Sequence, residues 1–288
     1  MEERYYDAWE FAKANNYVET DPKQANLKLK EYLEKYPKDY ATYGFYAGSF
    51  INLGDFESAE KIIKYVEKLA REDSQFNKQP DKVKMFKRVI LFDKFRLFCY
   101  QGKYDKLIKM CGEYRKLVQE WSLNDLDFYC KKKLNRIPDI ERDNNTYLFR
   151  QMIEYKEEDL LDHLKKHSAD FNQDLDNPND CVFVPGFPIK ELVDEVKKYI
   201  PSDKKICHGF YDDLYVFKCK ECGRINNKLV DYFKVSCFHD SGNIITIYPA
   251  SRCEKLPLID LSYFNKKEEK KVTIVSARDK FNKRYGRK

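Results

Sequence analysis

The chain has 288 residues, of which 42% are hydrophobic and 35% charged, with a formal net charge of +6. This length suffices for one large domain or two modest ones. No run of about 18 apolar residues occurs, and the charged start is unlike a signal peptide, so we expect a cytoplasmic protein with no membrane partner.

The first elements of the chain repeat at an interval of 34 residues, so that Trp9 is echoed by Tyr43. Gly54 and Gly102 stand in the same context, each followed two positions later by an aromatic residue, and glycine supplies the backbone freedom that a tight turn needs. Apolar residues at helical spacing surround both glycines. The predicted helices pair as 5–18 with 23–36, 40–53 with 56–70, and 83–101 with 103–119.

This pattern resembles the tetratricopeptide repeat over roughly residues 3–120. The resemblance implies a right-handed stack of helix pairs, whose concave groove is lined by the first helix of each pair and binds a protein partner. A generic helical bundle is the alternative. The groove residues assigned to partner binding are Ile51, Asn52, Phe92, Arg96 and Tyr100.

The charges in this groove differ from those of family members that hold a partner's C-terminal carboxylate with Lys, Arg and Asn. Asp7 and Glu10 make the first repeat acidic, and Arg96 is the one basic residue at the groove positions. A carboxylate clamp is therefore disfavoured. We expect an apolar or aromatic segment in the groove instead, with the chain's own C-terminal half as one source of it.

Two short helices at 147–155 and 158–167 complete a predicted helical domain over residues 1–168. His163 and His167 stand four residues apart on one helix face, a spacing that can ligate a metal. No third ligand stands at a matching offset, so we expect both to face solvent. The polar segment 169–180, which contains Asn-Pro, is typical of a linker.

The hydrophobic period falls to two after residue 180. It predicts strands at 211–220, 228–239 and 244–248, packed with a helix at 189–199, in a small α+β domain over 181–264. The predicted fold class is therefore α+β, a tetratricopeptide-like helical half followed by a small antiparallel sheet. Residues 201–288 carry 19 Lys and Arg against 11 Asp and Glu. The basic tail 265–288 is typical of a solvated, solubilising segment, with RNA or DNA as a second partner as the alternative.

A metal site is the first chemical possibility in the C-terminal half. Cys219 and Cys222 are spaced like one knuckle of a zinc ribbon, and Cys237 or His239 could supply further ligands. A clean second pair is absent, and nine dispersed cysteines argue against a disulfide framework. We therefore expect no cofactor, with a structural zinc ion as the alternative to buried, incidental thiols.

Acid–base chemistry is the second possibility. A metal-independent ribonuclease needs a base, an acid and a cation at the phosphate. The run 230–249 is faintly similar to barnase-, RelE- and EndoU-like toxin nucleases. No Gly-rich phosphate loop or nucleophile elbow occurs. The candidate catalytic residues, each of which has a plain structural role as its alternative, are His208, Lys234, His239, Tyr248 and Arg252.

The sequence therefore favours a protein-interaction scaffold or adaptor, with its partner in the helical groove and no enzymatic activity. The first alternative is a metal-independent endoribonuclease or toxin-like effector. The second is a zinc-stabilised nucleic-acid binder.

Overall fold

The structure, a computed structural model, describes residues 22–114, 120–137, 146–168, 181–207, 209–251, 253 and 256–264. The first predicted helix at 5–18, the linker at 169–180 and the basic tail at 265–288 lie outside the described residues. Within them the fold is α+β, with helices that precede a six-stranded sheet. The predicted class is confirmed at this level, and the tetratricopeptide assignment stays a prediction.

The boundaries of the helices in the first half are set by capping side chains and by glycines in the turns. Asp55 accepts a hydrogen bond from the N–H of Ser58 at 3.0 Å, which replaces the partner that the first turn of a helix lacks. The predicted helix pairs around Gly54 and Gly102 are confirmed. The described helices are α1 (Pro22–Lys35), α2 (Tyr40–Asn52), α3 (Phe56–Glu72), α4 (Ser74–Asn77), α5 (Pro80–Tyr100), α6 (Tyr104–Tyr114), α7 (Glu120–Lys133), α8 (Tyr147–Ile153) and α9 (Glu157–Lys165).

The turns after α2 and α5 have the same hydrogen bonds. In each, the glycine N–H donates to the carbonyl three residues back, and the next N–H donates to the carbonyl five residues back. Gly54 and Gly102 have φ angles of +77° and +68°, in the left-handed region that favours glycine. Asn135 makes the same two bonds after α7, with a φ of 54°. The third such turn therefore uses Asn, which tolerates this conformation better than most residues.

The second half is a sheet in which β3 and β4 are the longest strands. Strands β1, β3, β4 and β5 lie side by side and antiparallel, while β2 and β6 also pair with β3, the latter in parallel. Asn226 and Asn227 join β3 to β4 with positive φ angles at both positions, as a two-residue hairpin turn requires. The elements are β1 (Cys181–Phe183), α10 (Ile189–Lys197), β2 (Ile206–Cys207), β3 (Asp212–Ile225), β4 (Lys228–Phe238), β5 (Ile244–Ala250) and β6 (Leu258–Asp260).

Both faces of this sheet are covered. On one face α9 and α10 pack on the apolar side chains of the central strands, so Leu160 and Leu164 belong to the core of the sheet. On the other face Leu214 and Val216 pack against Leu256, which follows β5 in the chain. Helix α9, the last described helix of the first half, therefore connects the two halves through packing as well as through the chain.

Two expectations about the strands and the last helix of the first half are wrong. The strand expected to end before Pro249 continues through it to Ala250, because β5 ends the strand order of the described sheet and Pro is tolerated on an edge strand. His163 does not face solvent freely, since its ring stacks on Tyr147 with centroids 4.1 Å apart. None of the described helices is both long and apolar enough to cross a bilayer.

Candidate partner-binding site

The predicted groove lies where α2 and α5 pack against each other, and most of its residues are buried. Ile51 is 0% exposed, Asn52 2% and Arg96 1%. The sheet half contributes to this burial, since the carbonyl of Cys207 accepts a hydrogen bond from Arg96, and Cys207, Phe210 and Phe238 lie in the same hydrophobic cluster as the helices. The part of the groove formed by the ends of α2 and α5, which we name the filled end, therefore holds a segment of the same chain.

Arg96 is the polar centre of the filled end. Its Nη2 donates to the backbone carbonyl of Cys207 at 2.8 Å and to the side-chain oxygen of Asn52. Its Nη1 lies 3.5 Å from a carboxylate oxygen of Asp93, which is also buried. Burial raises the pKa of Asp93 to about 7, although the neighbouring guanidinium opposes this shift. Arg96 is thus engaged by its own chain and is not presented to a partner.

Aromatic contacts complete the filled end. The Tyr100 hydroxyl donates to the carbonyl of Asp212 at 2.6 Å, and its ring centroid lies 4.7 Å from that of His239. Phe210 packs between Phe92 and Phe95, with centroids 5.0 and 5.9 Å away. An aromatic segment of the C-terminal half therefore occupies this position.

Phe92 is the groove residue that stays accessible, with 40% of its surface exposed. Lys84 and Arg88 precede it on α5 at intervals of four residues, so the three side chains share one helix face, and Lys87 lies beside them. All three cations are exposed, and within the described part of the chain none of them forms an ion pair. We name these four residues the open end of the groove.

Comparisons of the chain with protein-family models, with curated proteins and with solved structures found no match. The site is therefore interpreted from its own geometry.

The candidate catalytic residues lie in two places. Lys234 and Tyr248 are directly opposite each other on β4 and β5. His239 follows the end of β4, five residues from Lys234, or about 17 Å along an extended strand. His208 and Arg252 lie outside the described residues. Among the described candidates, the ammonium group of Lys234 and the imidazole of His239 therefore do not lie at one site.

His239 has a structural environment. Its Nδ1 lies 3.0 Å from the carbonyl of Tyr211, which it can reach by donating a proton, and its ring packs against Tyr100 and Tyr129. Burial lowers the pKa of His239, so the neutral ring is favoured. The imidazole thus helps to join the two halves, at a position where the sequence predicted an acid or a base.

The cysteine pair of the expected zinc knuckle lies in an irregularity of β3, between Lys218 and Gly223. Cys222 Sγ is 3.4 Å from the carbonyl of Tyr232, and the neighbouring Cys219 thiol together with burial raises the pKa of Cys222. Cys237 and His239 lie toward the other end of the β3–β4 hairpin. No group of three metal-ligating side chains occurs in the part of the chain that the structure describes. The residues present there supply two thiols, and a structural zinc ion needs four ligands.

Sequence reasoning missed the residues that fill the groove. Phe210 was available as a signal, since an aromatic pair follows Gly209 just before the first long strand. The carbonyls of Cys207 and Asp212 gave no signal in the sequence, because every residue has a backbone carbonyl. The basic face of α5 was also missed, although Lys84 and Arg88 have the helical spacing that would reveal it.

Proposed function

We propose that the protein is an interaction adaptor that binds an acidic segment of a partner protein at the open end of its helical groove. The observation that carries this proposal is the exposed face of α5, on which Lys84, Lys87 and Arg88 lie beside the exposed ring of Phe92 without ion-pair partners among the described residues. A cationic and aromatic surface of this kind attracts carboxylates and apolar side chains together.

The charge of this face is local. The first 200 residues carry 35 Lys and Arg against 37 Asp and Glu, so the helical half is not basic as a whole. Three like charges within two helix turns repel one another, and an acidic ligand would relieve that repulsion. The face from Lys84 to Phe92 is about 12 Å long, which suits a short peptide segment.

The filled end supports the same proposal. Arg96 and Tyr100 are used to fix the sheet half, so the partner is expected to contact Phe92 and the residues before it in α5. The edge of Phe210 would form the floor beside Phe92, since their rings are in contact. The sheet half thereby shapes one wall of the site.

Selection from a displayed library of random peptides tests this proposal. The full chain should enrich sequences that combine Asp or Glu with aromatic or aliphatic residues. A Lys84→Glu/Arg88→Glu variant should bind the enriched peptides at least about tenfold more weakly, since reversing two contact charges costs on the order of 1–2 kcal/mol.

The matched control is Lys68→Glu/Lys190→Glu, which makes the same charge change at exposed lysines on α3 and on α10. It should bind within about twofold of the unchanged chain, because distant exposed charges are screened by salt. Equal binding by the Lys84→Glu/Arg88→Glu variant would refute the site. Binding of poly(U) RNA at this face in place of peptides, weakened by the same variant, would replace the acidic protein with a nucleic acid.

A further inference from the structure

A cleft lined by none of the open-end residues lies between the helices and the sheet. It is formed by the last turn of α7, by the end of α8 with Tyr155 two residues beyond it, and by the turn between β4 and β5. Its volume is about 350 Å³. A smaller cavity of about 180 Å³ adjoins it, since Lys132 and Ile153 line both. Small-molecule sites are typically found at such boundaries between packed units, and the larger volume is within their range.

Two residues that line the cleft, Gln151 and Tyr155, have buried polar atoms without hydrogen-bond partners among the described residues. Gln151 is 3% exposed, and its amide nitrogen donates to the carbonyl of Lys156 at 3.1 Å. Its side-chain oxygen has no hydrogen-bond partner among the described residues, and the same holds for the buried hydroxyl oxygen of Tyr155. Buried acceptors without partners are unfavourable, so a ligand that brings an N–H or O–H donor to Gln151 would gain binding energy there.

The cleft is also positively charged. Lys133 contacts the carboxylate of Asp240 and lies 5.2 Å from the centre of the Tyr129 ring. Lys132 is half-buried and forms no ion pair with any described residue. Burial, followed by the nearby charge of Lys132, lowers the pKa of Lys133. Two lysines and one carboxylate thus line the cleft, so an anion bound there would balance the remaining positive charge.

We propose that this cleft binds a small organic anion that also carries hydrogen-bond donors, as an amino acid or a sugar phosphate does. The anionic group would bind the ammonium group of Lys132, and an N–H or O–H of the ligand would donate to the Gln151 side-chain oxygen. This site is separate from the open end of the groove and does not depend on the proposed adaptor function.

Calorimetric titration of the full chain tests the cleft with four probes: glutamate and glucose 6-phosphate as anions with donors, sulfate as an anion without donors, and glucose as a neutral molecule with donors. Glutamate or glucose 6-phosphate should bind more tightly than sulfate, and glucose should not bind. Comparing the affinities for glutamate and glucose 6-phosphate shows whether the cleft prefers a carboxylate or a phosphate.

Two variants assign the binding to the cleft. Lys132→Gln should weaken binding of the tighter anion about tenfold, because a charge-assisted contact is lost. Gln151→Met should weaken that anion toward the level of sulfate and leave sulfate unchanged. Lys68→Gln, on the far surface of α3, is the control and should change nothing.

Three results would overturn the proposal: no binding of either organic anion, equal affinity for both organic anions and sulfate, or binding that Lys132→Gln leaves unchanged. If Gln151→Met does not fold, the comparison of sulfate with the organic anions in the unchanged chain still tests the role of the donor.

Discussion

The two ends of α5 carry similar residues, but one end is buried and the other is exposed. Arg96 and Tyr100 near its C-terminal end are buried against the sheet half, whereas Arg88 and Phe92, two turns earlier, are exposed. The same helix, in the same groove, is an internal contact at one end and an outer surface at the other. The two ends differ because a segment of the sheet half packs on the C-terminal end of α5 and leaves Arg88 and Phe92 exposed.

Replacing each of the two arginines of α5 in turn should give the largest difference in stability between the two ends. Arg96→Ala removes the partner of buried Asp93 and two hydrogen bonds at the junction. Leaving one member of a buried ion pair alone is expected to lower the free energy of unfolding by about 3–5 kcal/mol. Urea denaturation followed by circular dichroism measures this loss.

Arg88→Ala is the matched control, because it makes the same chemical change on the same helix. It should alter the free energy of unfolding by no more than about 0.5 kcal/mol, as is usual for exposed positions. Similar losses in both variants would show that the filled and open ends do not differ in the way described.

Much of the helical half could be predicted from sequence, because its turns depend on residues close together in the chain. Gly54 and Gly102 mark two of these turns, and Asn135 takes the place of glycine in the third. Alternation likewise predicted β3, β4 and β5, although Asn226 and Asn227 were not recognised as the hairpin turn. These elements are decided by local backbone preference and side-chain period.

The junction could not be predicted in the same way. Arg96 and Cys207 are 111 residues apart, and the acceptor is a backbone carbonyl that leaves no mark in a sequence. The sequence singled out Arg96 as a groove residue, but it gave no sign of the carbonyl that Arg96 binds. The candidate acids and bases were grouped by residue type alone, and strand geometry then separated Lys234 from His239.

A glycine substitution sharpens the comparison by acting on the helix contact beneath the open end. A Cβ atom added at Gly44 of α2 would lie 2.3 Å from Cγ1 of Val89 on α5, whose β-branched side chain has little freedom to rotate in a helix. Gly44→Ala should therefore destabilise the protein by about 1–3 kcal/mol through overpacking, even though alanine is the better helix former.

Gly112→Ala provides the control, since an added Cβ on α6 would meet no atom within 4 Å. This change should stabilise the protein by up to about 1 kcal/mol. Thermal unfolding of both variants would compare them directly, and a stabilising effect of Gly44→Ala would mean that α2 and α5 do not approach as closely as described.

The smallest expected effect concerns a second contact between the helices and the sheet, at which pH should act. His163 on α9 stacks on Tyr147 and lies 3.4 Å from the hydroxyl of Thr246 on β5. Burial, with the nearby charges of His167 and Lys166, lowers the pKa of His163 from 6.5 to about 4. The folded state thus prefers the neutral ring, so this stability is present above pH 6.5 and is lost as the pH falls toward 4.

A fully buried group with this shift would contribute about 3 kcal/mol, and the half-exposed ring of His163 should contribute about 1–2 kcal/mol. His163→Phe keeps the stack on Tyr147 and cannot be protonated. Between pH 7 and pH 4.5 the unchanged chain should therefore lose about 1–2 kcal/mol more than this variant in urea denaturation. Both proteins keep His239, so the difference reports His163 together with its effect on His167, whose ring centroid lies 5.4 Å away. Identical losses would mean that protonation of His163 does not weaken the contact between α9 and β5, and that pH acts elsewhere at the junction.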